Sequence, residues 1–130
     1  MKILFICKGN SGRSLMTESI FNNYSTQNKA ISAGWQPDKE VHPDTVKLMN
    51  ELDIDVSTYS PQLLTEELME LSDEIIAINT QAFEKIPPKY QNKAKNWKLP
   101  ILSDKPIDEV RKIRDLIKIK VKELILDLEK

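Results

Sequence analysis

The sequence predicts an α/β fold in which strands and helices alternate along the chain. Lys2–Cys7 is a nearly continuous apolar run, typical of a strand buried on both faces of a parallel sheet. Ser14–Tyr24 follows with apolar residues on one helical face. Because the strand-then-helix order recurs, we expect parallel strands, right-handed crossovers and helices on both faces, which is a three-layer α/β/α arrangement.

Shorter signals predict the middle of the chain. Ala30–Ala33 is a short second strand that ends at Gly34. Pro43 suits the first position of a helix, and Thr65 is a suitable cap for another short helix. Two further strands are predicted at Glu74–Ile78 and Ala94–Trp97.

The last helix has the clearest pattern. Its apolar residues keep a spacing of three or four and form a single stripe, with charged residues elsewhere. The stripe comprises Ile107, Val110, Ile113, Ile117, Val121, Leu124 and Leu128.

Composition limits the functions that this chain can have. With 130 residues, 40% hydrophobic and 30% charged, we expect one globular domain over residues 1–130. The net charge of −1 argues against binding to nucleic acid or to an anionic membrane. No apolar run approaches the roughly 20 residues that span a bilayer, and no signal-peptide pattern precedes the first strand, so we expect a cytoplasmic protein. One cysteine and one histidine predict neither an internal disulfide nor a metal or other cofactor.

The segment after the first strand predicts an oxyanion site. A loop with two glycines can turn its backbone N–H groups inward, and Gly9 and Gly12 are expected to supply positive φ angles. The helix that begins at Ser14 adds its free N–H groups and positive dipole end, and Arg13 adds a planar fork of donors. The predicted phosphate-binding residues are Lys8, Gly9, Asn10, Ser11, Gly12, Arg13 and Ser14.

The same loop predicts a nucleophile. Cys7, the only cysteine, lies where a helix N-terminus and a guanidinium stabilise a thiolate. A lone cysteine at the end of a buried strand is more often a small apolar residue, but packing gives no reason for the glycines, Asn10 and Arg13 to cluster beside it. Asn10 tolerates the left-handed conformation and is expected to hold the loop open.

These residues resemble the low-molecular-weight protein tyrosine phosphatase family, which includes arsenate reductases of the same fold. The family loop has the form Cys-x-Gly-Asn-x-x-Arg-Ser, which residues 7–14 match. The resemblance implies a four-stranded sheet in the order 2-1-3-4 and hydrolysis of phosphotyrosine-type esters through a cysteinyl phosphate on Cys7. It also implies that Ser14 hydrogen-bonds the sulfur. The partners implied are a phosphorylated protein or small aryl phosphate, and inorganic phosphate or other oxyanions. The likeness continues at Ser32-Ala33-Gly34, Val41-His42-Pro43, Leu52–Asp55, Asp73–Ile76 and Trp97.

The sequence departs from the family at the general acid. The family carries an Asp-Pro pair after the tryptophan, and that place falls on Ile101-Leu102 here. The nearest carboxylate is Asp104, which we predict to be the acid. Asp108 is the second candidate, although its place early in the last helix also suits a residue that stabilises the helix dipole.

Two aromatic residues and a histidine complete the predicted surroundings. Trp35 and Tyr59 are expected to wall the substrate entrance, with ordinary packing as the alternative. His42 precedes Pro43 at a helix start and is expected to be structural. Trp97 is expected to pack under the loop that follows it.

Two other functions stay open beside phosphatase activity. One is a single-cysteine arsenate reductase that uses an external small thiol. Its thioredoxin-coupled version is excluded because that mechanism needs several cysteines. The other is a non-catalytic binder of phosphate or phosphoproteins that lacks the acid.

Overall fold

A four-stranded parallel sheet forms the centre of the computed structural model, which describes residues 1–100 and 105–129. The strands lie in the order β2-β1-β3-β4, and each pairs in parallel with its neighbours. The α/β class and the order 2-1-3-4 are therefore confirmed. The strands are β1 (Lys2–Cys7), β2 (Lys29–Gly34), β3 (Glu74–Ala77) and β4 (Ala94–Asn96).

Helices connect and cover the strands. The helices are α1 (Arg13–Tyr24), α2 (Pro43–Asn50), α3 (Glu66–Leu71), α4 (Thr80–Phe83) and α5 (Ile107–Leu128), with a 3₁₀ helix at Pro88–Lys93. The four helices that the sequence predicts, α1, α2, α3 and α5, are present, whereas α4 and the 3₁₀ helix were not predicted. Thr65 caps α3 as expected, since its side chain accepts a hydrogen bond from the Leu68 N–H at 3.2 Å.

The sheet separates two apolar clusters. Alternate residues of β1 point to opposite faces, so Phe5 joins the cluster beneath α1, α2 and α5, while Leu4 joins the cluster on the α3 and α4 side. Trp97 packs against Phe5 with a ring-centroid distance of 5.6 Å. Cys7 ends β1 on the Phe5 side, which places its sulfur at the base of α1.

Candidate active site

A cavity of about 410 Å³ lies at the carboxyl end of β1, where parallel α/β sheets place their ligands. Every residue from Cys7 to Arg13 lines it, so the loop predicted from the sequence forms its floor. The remaining lining residues come from the segment before α2, from α2 and from the chain around the start of α5: Asp38, His42, Asp44, Thr45, Lys105 and Val110.

The Cys7 sulfur forms hydrogen bonds with a buried side chain and with the backbone of the loop. Cys7 is 5% exposed, and its Sγ lies 2.8 Å from the hydroxyl of Ser14. The Asn10 N–H donates to the same sulfur at 3.3 Å. Ser14 is fully buried and is not part of the cavity lining, so its hydroxyl contacts the sulfur and does not face the cavity.

Asn10 organises the loop through its backbone and all four hydrogen bonds of its amide. Its φ of 51° is left-handed, as expected. Its Nδ2 donates to Ser14 Oγ at 2.9 Å and to Ser32 Oγ at 2.8 Å. Its Oδ1 accepts from the Tyr59 hydroxyl and the Gln62 N–H, both at 2.9 Å. Because a backbone N–H only donates, Gln62 fixes the amide orientation and leaves the serine's own proton for the sulfur.

The expected role of the loop glycines is wrong. No glycine has a positive φ, and the left-handed residue of the loop is Asn10. Gly9 serves close approach instead, since a Cβ there would collide with the Asp38 carboxylate. A Cβ on Gly34, at the end of β2, would collide with the Lys8 carbonyl and lie 3.0 Å from the Asn10 nitrogen.

Arg13 lies in the cavity wall and is 9% exposed. Its Nη1 donates to the Pro100 carbonyl, and within the described residues its Nε and Nη2 donate no hydrogen bond. Burial lowers the pKa of Arg13, and the adjacent charge of Cys7 opposes that shift. The free donors can therefore bind the oxygens of a phosphoryl group above the sulfur.

The loop is also tied to α2. The Ser11 carbonyl accepts hydrogen bonds from the His42 N–H at 3.2 Å and the Thr45 hydroxyl at 2.8 Å. The His42 Nδ1 accepts from the Asp44 N–H at 3.1 Å and so caps α2, which confirms the expected structural role of this histidine.

The structure places the two aromatic residues away from the cavity lining, contrary to the prediction that they wall it. Tyr59 lies behind the loop, where its hydroxyl supports Asn10, and burial raises the pKa of Tyr59 to about 12. Trp35 follows β2 on the Leu4 side of the sheet and packs there, with Lys85 Nζ 5.3 Å from its ring centroid. Trp35 lies on the Leu4 side because side chains alternate between the two faces of a sheet. Tyr59 lies behind the loop because its hydroxyl donates a hydrogen bond to the Asn10 side chain.

Sequence reasoning missed Glu18 completely. Its Oε1 accepts from the Ser32 hydroxyl at 2.9 Å, and Ser32 in turn contacts Asn10 and Tyr59. Burial raises the pKa of Glu18. A polar residue in an exposed-looking helical position gives no signal of such a network, because its partners come from β2 and the Tyr59 loop.

Of the two candidate general acids, the structure describes only Asp108. Asp104 lies outside the described residues. Asp108 is in the first turn of α5, where it pairs with Arg111 at 2.5 Å with its side chain 81% exposed, and it does not line the cavity. Among the described residues, the carboxylates in the cavity wall are Asp38 and Asp44. The described residues contain no group of three His, Cys, Asp or Glu that could hold a metal ion.

Comparison with known proteins agrees with this geometry. The family model described as low molecular weight phosphotyrosine protein phosphatase matches residues 2–130. The chain belongs to this family. It is therefore a hydrolase of the low-molecular-weight phosphatase type, and its function is the hydrolysis of phosphomonoesters.

The chain is also similar to individual members of the family. Arsenate reductase 2 of Staphylococcus saprophyticus is 29% identical over 122 residues, 93% of each chain. A YwlE mutant from Bacillus subtilis superposes with a TM-score of 0.89 at 26% identity, covering 100% of this chain and 99% of that one. A cysteine-to-serine mutant of YwlE arginine phosphatase with a phosphorylated active-site serine gives a TM-score of 0.90 at 25% identity, covering 100% and 97%.

No helix in the described part of the chain is long and apolar enough to cross a membrane.

Proposed function

We propose that Cys7 is the nucleophile of a two-step phosphatase reaction, in which Sγ attacks phosphorus and forms a cysteinyl phosphate. The observation that carries the proposal is the position of the sulfur at the floor of the cavity, 2.8 Å from a buried hydroxyl. Arg13 and the amides of Lys8 to Ser14 bind the phosphoryl oxygens, and their donors stabilise the charge of the transition state. Water then releases phosphate and restores the thiolate.

The substrate class is a protein phosphorylated on tyrosine or a small aryl phosphate. The family match supports this class, and a cavity of about 410 Å³ has room for an organic group beside the phosphoryl group. Inorganic phosphate and other oxyanions are expected to bind the same loop as inhibitors. A cytoplasmic location fits this activity.

Asp104 is the proposed proton donor to the leaving oxygen. It is the nearest carboxylate to the family's acid position on Ile101-Leu102, and Asp108 is turned toward Arg111. General acid catalysis of this kind contributes roughly 10²–10⁴ in rate. Its loss matters less for p-nitrophenyl phosphate, whose leaving group needs little protonation.

The direct test is turnover of p-nitrophenyl phosphate by the wild type and by Cys7→Ser, with phosphate affinity measured in parallel. We expect turnover to disappear while phosphate still binds, because Arg13 and the loop amides remain. Mass spectrometry of the variant after incubation with substrate should show one added phosphoryl group on residue 7. Full turnover by Cys7→Ser would eliminate the thiol mechanism, and a wild type that binds phosphate without any turnover would support the non-catalytic binder.

Arsenate reduction is the second candidate function. It is favoured by the similarity to staphylococcal arsenate reductases and by the tetrahedral shape that arsenate shares with phosphate. Cys7 would form the arsenate adduct, and an external small thiol would have to resolve it, since the chain has no other cysteine.

A further inference from the structure

Backbone carbonyl groups of the loop after β1 are bound by the segment that follows β2. The Gln36 N–H donates to the Lys8 carbonyl at 3.0 Å, and the Asp38 N–H donates to the Gly9 carbonyl at 2.9 Å. Because the peptide bonds are trans, the carbonyl and the N–H of one peptide unit point in opposite directions. A carbonyl held by this segment therefore turns the N–H of the same peptide unit to the opposite side.

The peptide unit between Gly9 and Asn10 shows where that opposite side lies. Its carbonyl is bound by the Asp38 N–H, and its own N–H, which belongs to Asn10, donates to the Cys7 sulfur at 3.3 Å. The inner side of the loop is therefore the side of the nucleophile, and each carbonyl that is held on the outer side directs one N–H inward.

The peptide unit between Ser11 and Gly12 is held by a side chain as well as by the backbone. Its carbonyl accepts from the His42 N–H at 3.2 Å and from the Thr45 hydroxyl at 2.8 Å. The shorter bond comes from Thr45, which is buried and lies in the cavity wall. The N–H of this peptide unit belongs to Gly12, so it points away from α2.

The Gly12 N–H has no acceptor inside the protein. Within residues 1–100 and 105–129 it donates no hydrogen bond, although Gly12 lines the cavity. A backbone N–H that is not bonded inside the protein needs an acceptor from solvent or from a ligand. Gly12 also precedes the first residue of α1, where the helix dipole favours an anion as that acceptor.

The first turn of α2 gives Thr45 a fixed position. His42 caps this helix, and the Thr45 N–H donates to the His42 carbonyl at 2.9 Å. Leu48 and Met49 anchor the same helix in the core. Threonine is β-branched, so few side-chain rotamers are open to it in a helix. The Thr45 hydroxyl is therefore a rigid donor to the loop.

We propose that Thr45 is a positioning residue for the phosphoryl group, because its hydroxyl fixes the peptide unit whose Gly12 N–H faces the anion above Cys7. This inference rests on the proposed function of the Cys7 loop. A donor that is already oriented needs no reorganisation when charge develops on the phosphoryl oxygens. Without the hydroxyl, a single hydrogen bond holds the Ser11 carbonyl, and the peptide unit gains freedom to rotate.

Binding of inorganic phosphate tests the proposal without turnover. Titration calorimetry compares the wild type with Thr45→Val, which keeps the side-chain shape but not the hydroxyl, and with Thr45→Ser, which keeps the hydroxyl. We expect Thr45→Val to bind phosphate about tenfold more weakly and Thr45→Ser to stay within about twofold of the wild type. Thr17→Val is the matched control, because the buried Thr17 hydroxyl also donates to a backbone carbonyl, but within α1 and outside the cavity lining.

The amide resonance of Gly12 supplies a measurement that a merely structural role of Thr45 would not change. A phosphate oxygen that accepts from this N–H should move its proton resonance downfield in the wild type and in Thr45→Ser. We expect a smaller displacement in Thr45→Val at saturating phosphate. A full displacement in Thr45→Val would overturn the proposal, because the Gly12 N–H would then be oriented without the hydroxyl.

Two results in calorimetry would also overturn it. One is equal phosphate affinity in Thr45→Val and the wild type, and the other is a Thr45→Ser variant as weak as Thr45→Val. Circular dichroism checks the fold, and Thr45→Ala, which also lacks the hydroxyl, replaces Thr45→Val if that variant does not fold.

Turnover of p-nitrophenyl phosphate separates this inference from the proposed function. We expect kcat/KM to fall about tenfold in Thr45→Val and to be retained in Thr45→Ser and Thr17→Val. An unchanged kcat/KM in Thr45→Val would overturn the positioning role while phosphatase activity stands. A wild type that binds phosphate and hydrolyses nothing would refute the proposed function, and the phosphate affinities would still decide the role of Thr45.

Discussion

At the scale of single residues, Asn10 connects the backbone of the loop to the chemistry of Cys7. Its left-handed φ of 51° turns the chain, and its own N–H reaches the sulfur. Its side chain directs the hydroxyl of Ser14 at the same atom. A residue that only marked a turn would not need its amide to form four hydrogen bonds, three of them with residues 22 to 52 positions away in the chain.

Arg13 gives the first prediction at this scale. Arg13→Lys should lower kcat/KM by about 10²-fold or more, because one ammonium cannot replace the planar fork that binds two oxygens. Steady-state kinetics with p-nitrophenyl phosphate measures the loss, and circular dichroism checks that the variant is folded. A loss of only a few-fold would show that Arg13 does not hold the transferred group. Arg111→Lys is the matched control, since Arg111 lies on α5 outside the cavity lining.

At the scale of elements, the end of β2 positions the loop that follows β1. Gly34 pairs with Cys7 in the sheet register, and its missing side chain lets the loop backbone pass directly beside it. The loop after β1 therefore depends on a strand that contributes no side chain to the cavity lining.

Gly34→Ala tests this dependence. The added methyl would meet the backbone of Lys8 and Asn10, which cannot move aside cheaply, so we expect a loss of about 1–3 kcal/mol of unfolding free energy and reduced activity. Gly9→Ala is the control, because its new methyl meets only the end of the Asp38 side chain. Urea unfolding measures both variants. Equal losses of unfolding free energy in the two variants would contradict the argument that a backbone neighbour yields less easily than the end of a side chain.

A second element-scale feature joins the end of α2 to α5. Glu51 accepts from Arg111 Nε and Nη2 at 2.9 and 2.8 Å, and from Arg114 Nη1 at 2.7 Å. The hydrogen bonds from Arg111, and then those from Arg114, lower the pKa of Glu51 to about 2. The ordinary glutamate pKa is 4.5, so the ionised form is favoured in the folded protein.

The pH dependence of Glu51→Gln follows from this shift. A lowered folded-state pKa stabilises the protein above the unfolded value of 4.5, and that contribution is lost as pH falls toward 2. We expect the wild type to exceed Glu51→Gln in Tm near pH 7 and the gap to close between about pH 4.5 and 2. Thermal unfolding over this range measures it, with the exposed Glu109→Gln as control. A gap that stays constant with pH would contradict the assignment.

At the scale of the whole molecule, the cysteine count separates two redox mechanisms. With thioredoxin as the sole reductant, we expect no arsenite formation, because no second thiol in the chain can resolve an adduct on Cys7. A parallel reaction contains a small thiol such as glutathione, which can resolve the adduct on Cys7. Arsenite assays under both conditions make the comparison, and robust turnover with thioredoxin alone would refute the argument from cysteine count.

The sequence was sufficient for the four strands, for α1, α2, α3 and α5, and for the location of the Cys7 loop. The continuous apolar run of β1 and the apolar stripe of α5 are each visible within a single segment of sequence. The loop residues from Cys7 to Ser14 are also consecutive, so their pattern can be read without knowledge of the fold. The positive φ expected of Gly9 and Gly12 is wrong. For Gly9 the sequence misleads because positive φ and close approach both call for glycine. Only the packing of Asp38 against the loop distinguishes the two reasons for Gly9.

What the sequence by itself determined is the family, the α/β class and the place of the loop from Cys7 to Ser14, since each depends on residues close together in the chain. Tertiary structure alone decided that Tyr59 and Glu18 support the loop from behind and that Asp38 stands in the cavity wall. The physical reason is that hydrogen bonds and charges act through space. Asp38 and Tyr59 lie 27 and 49 residues from Ser11 and Asn10, and Glu18 reaches the loop through Ser32, which is 14 residues away from it.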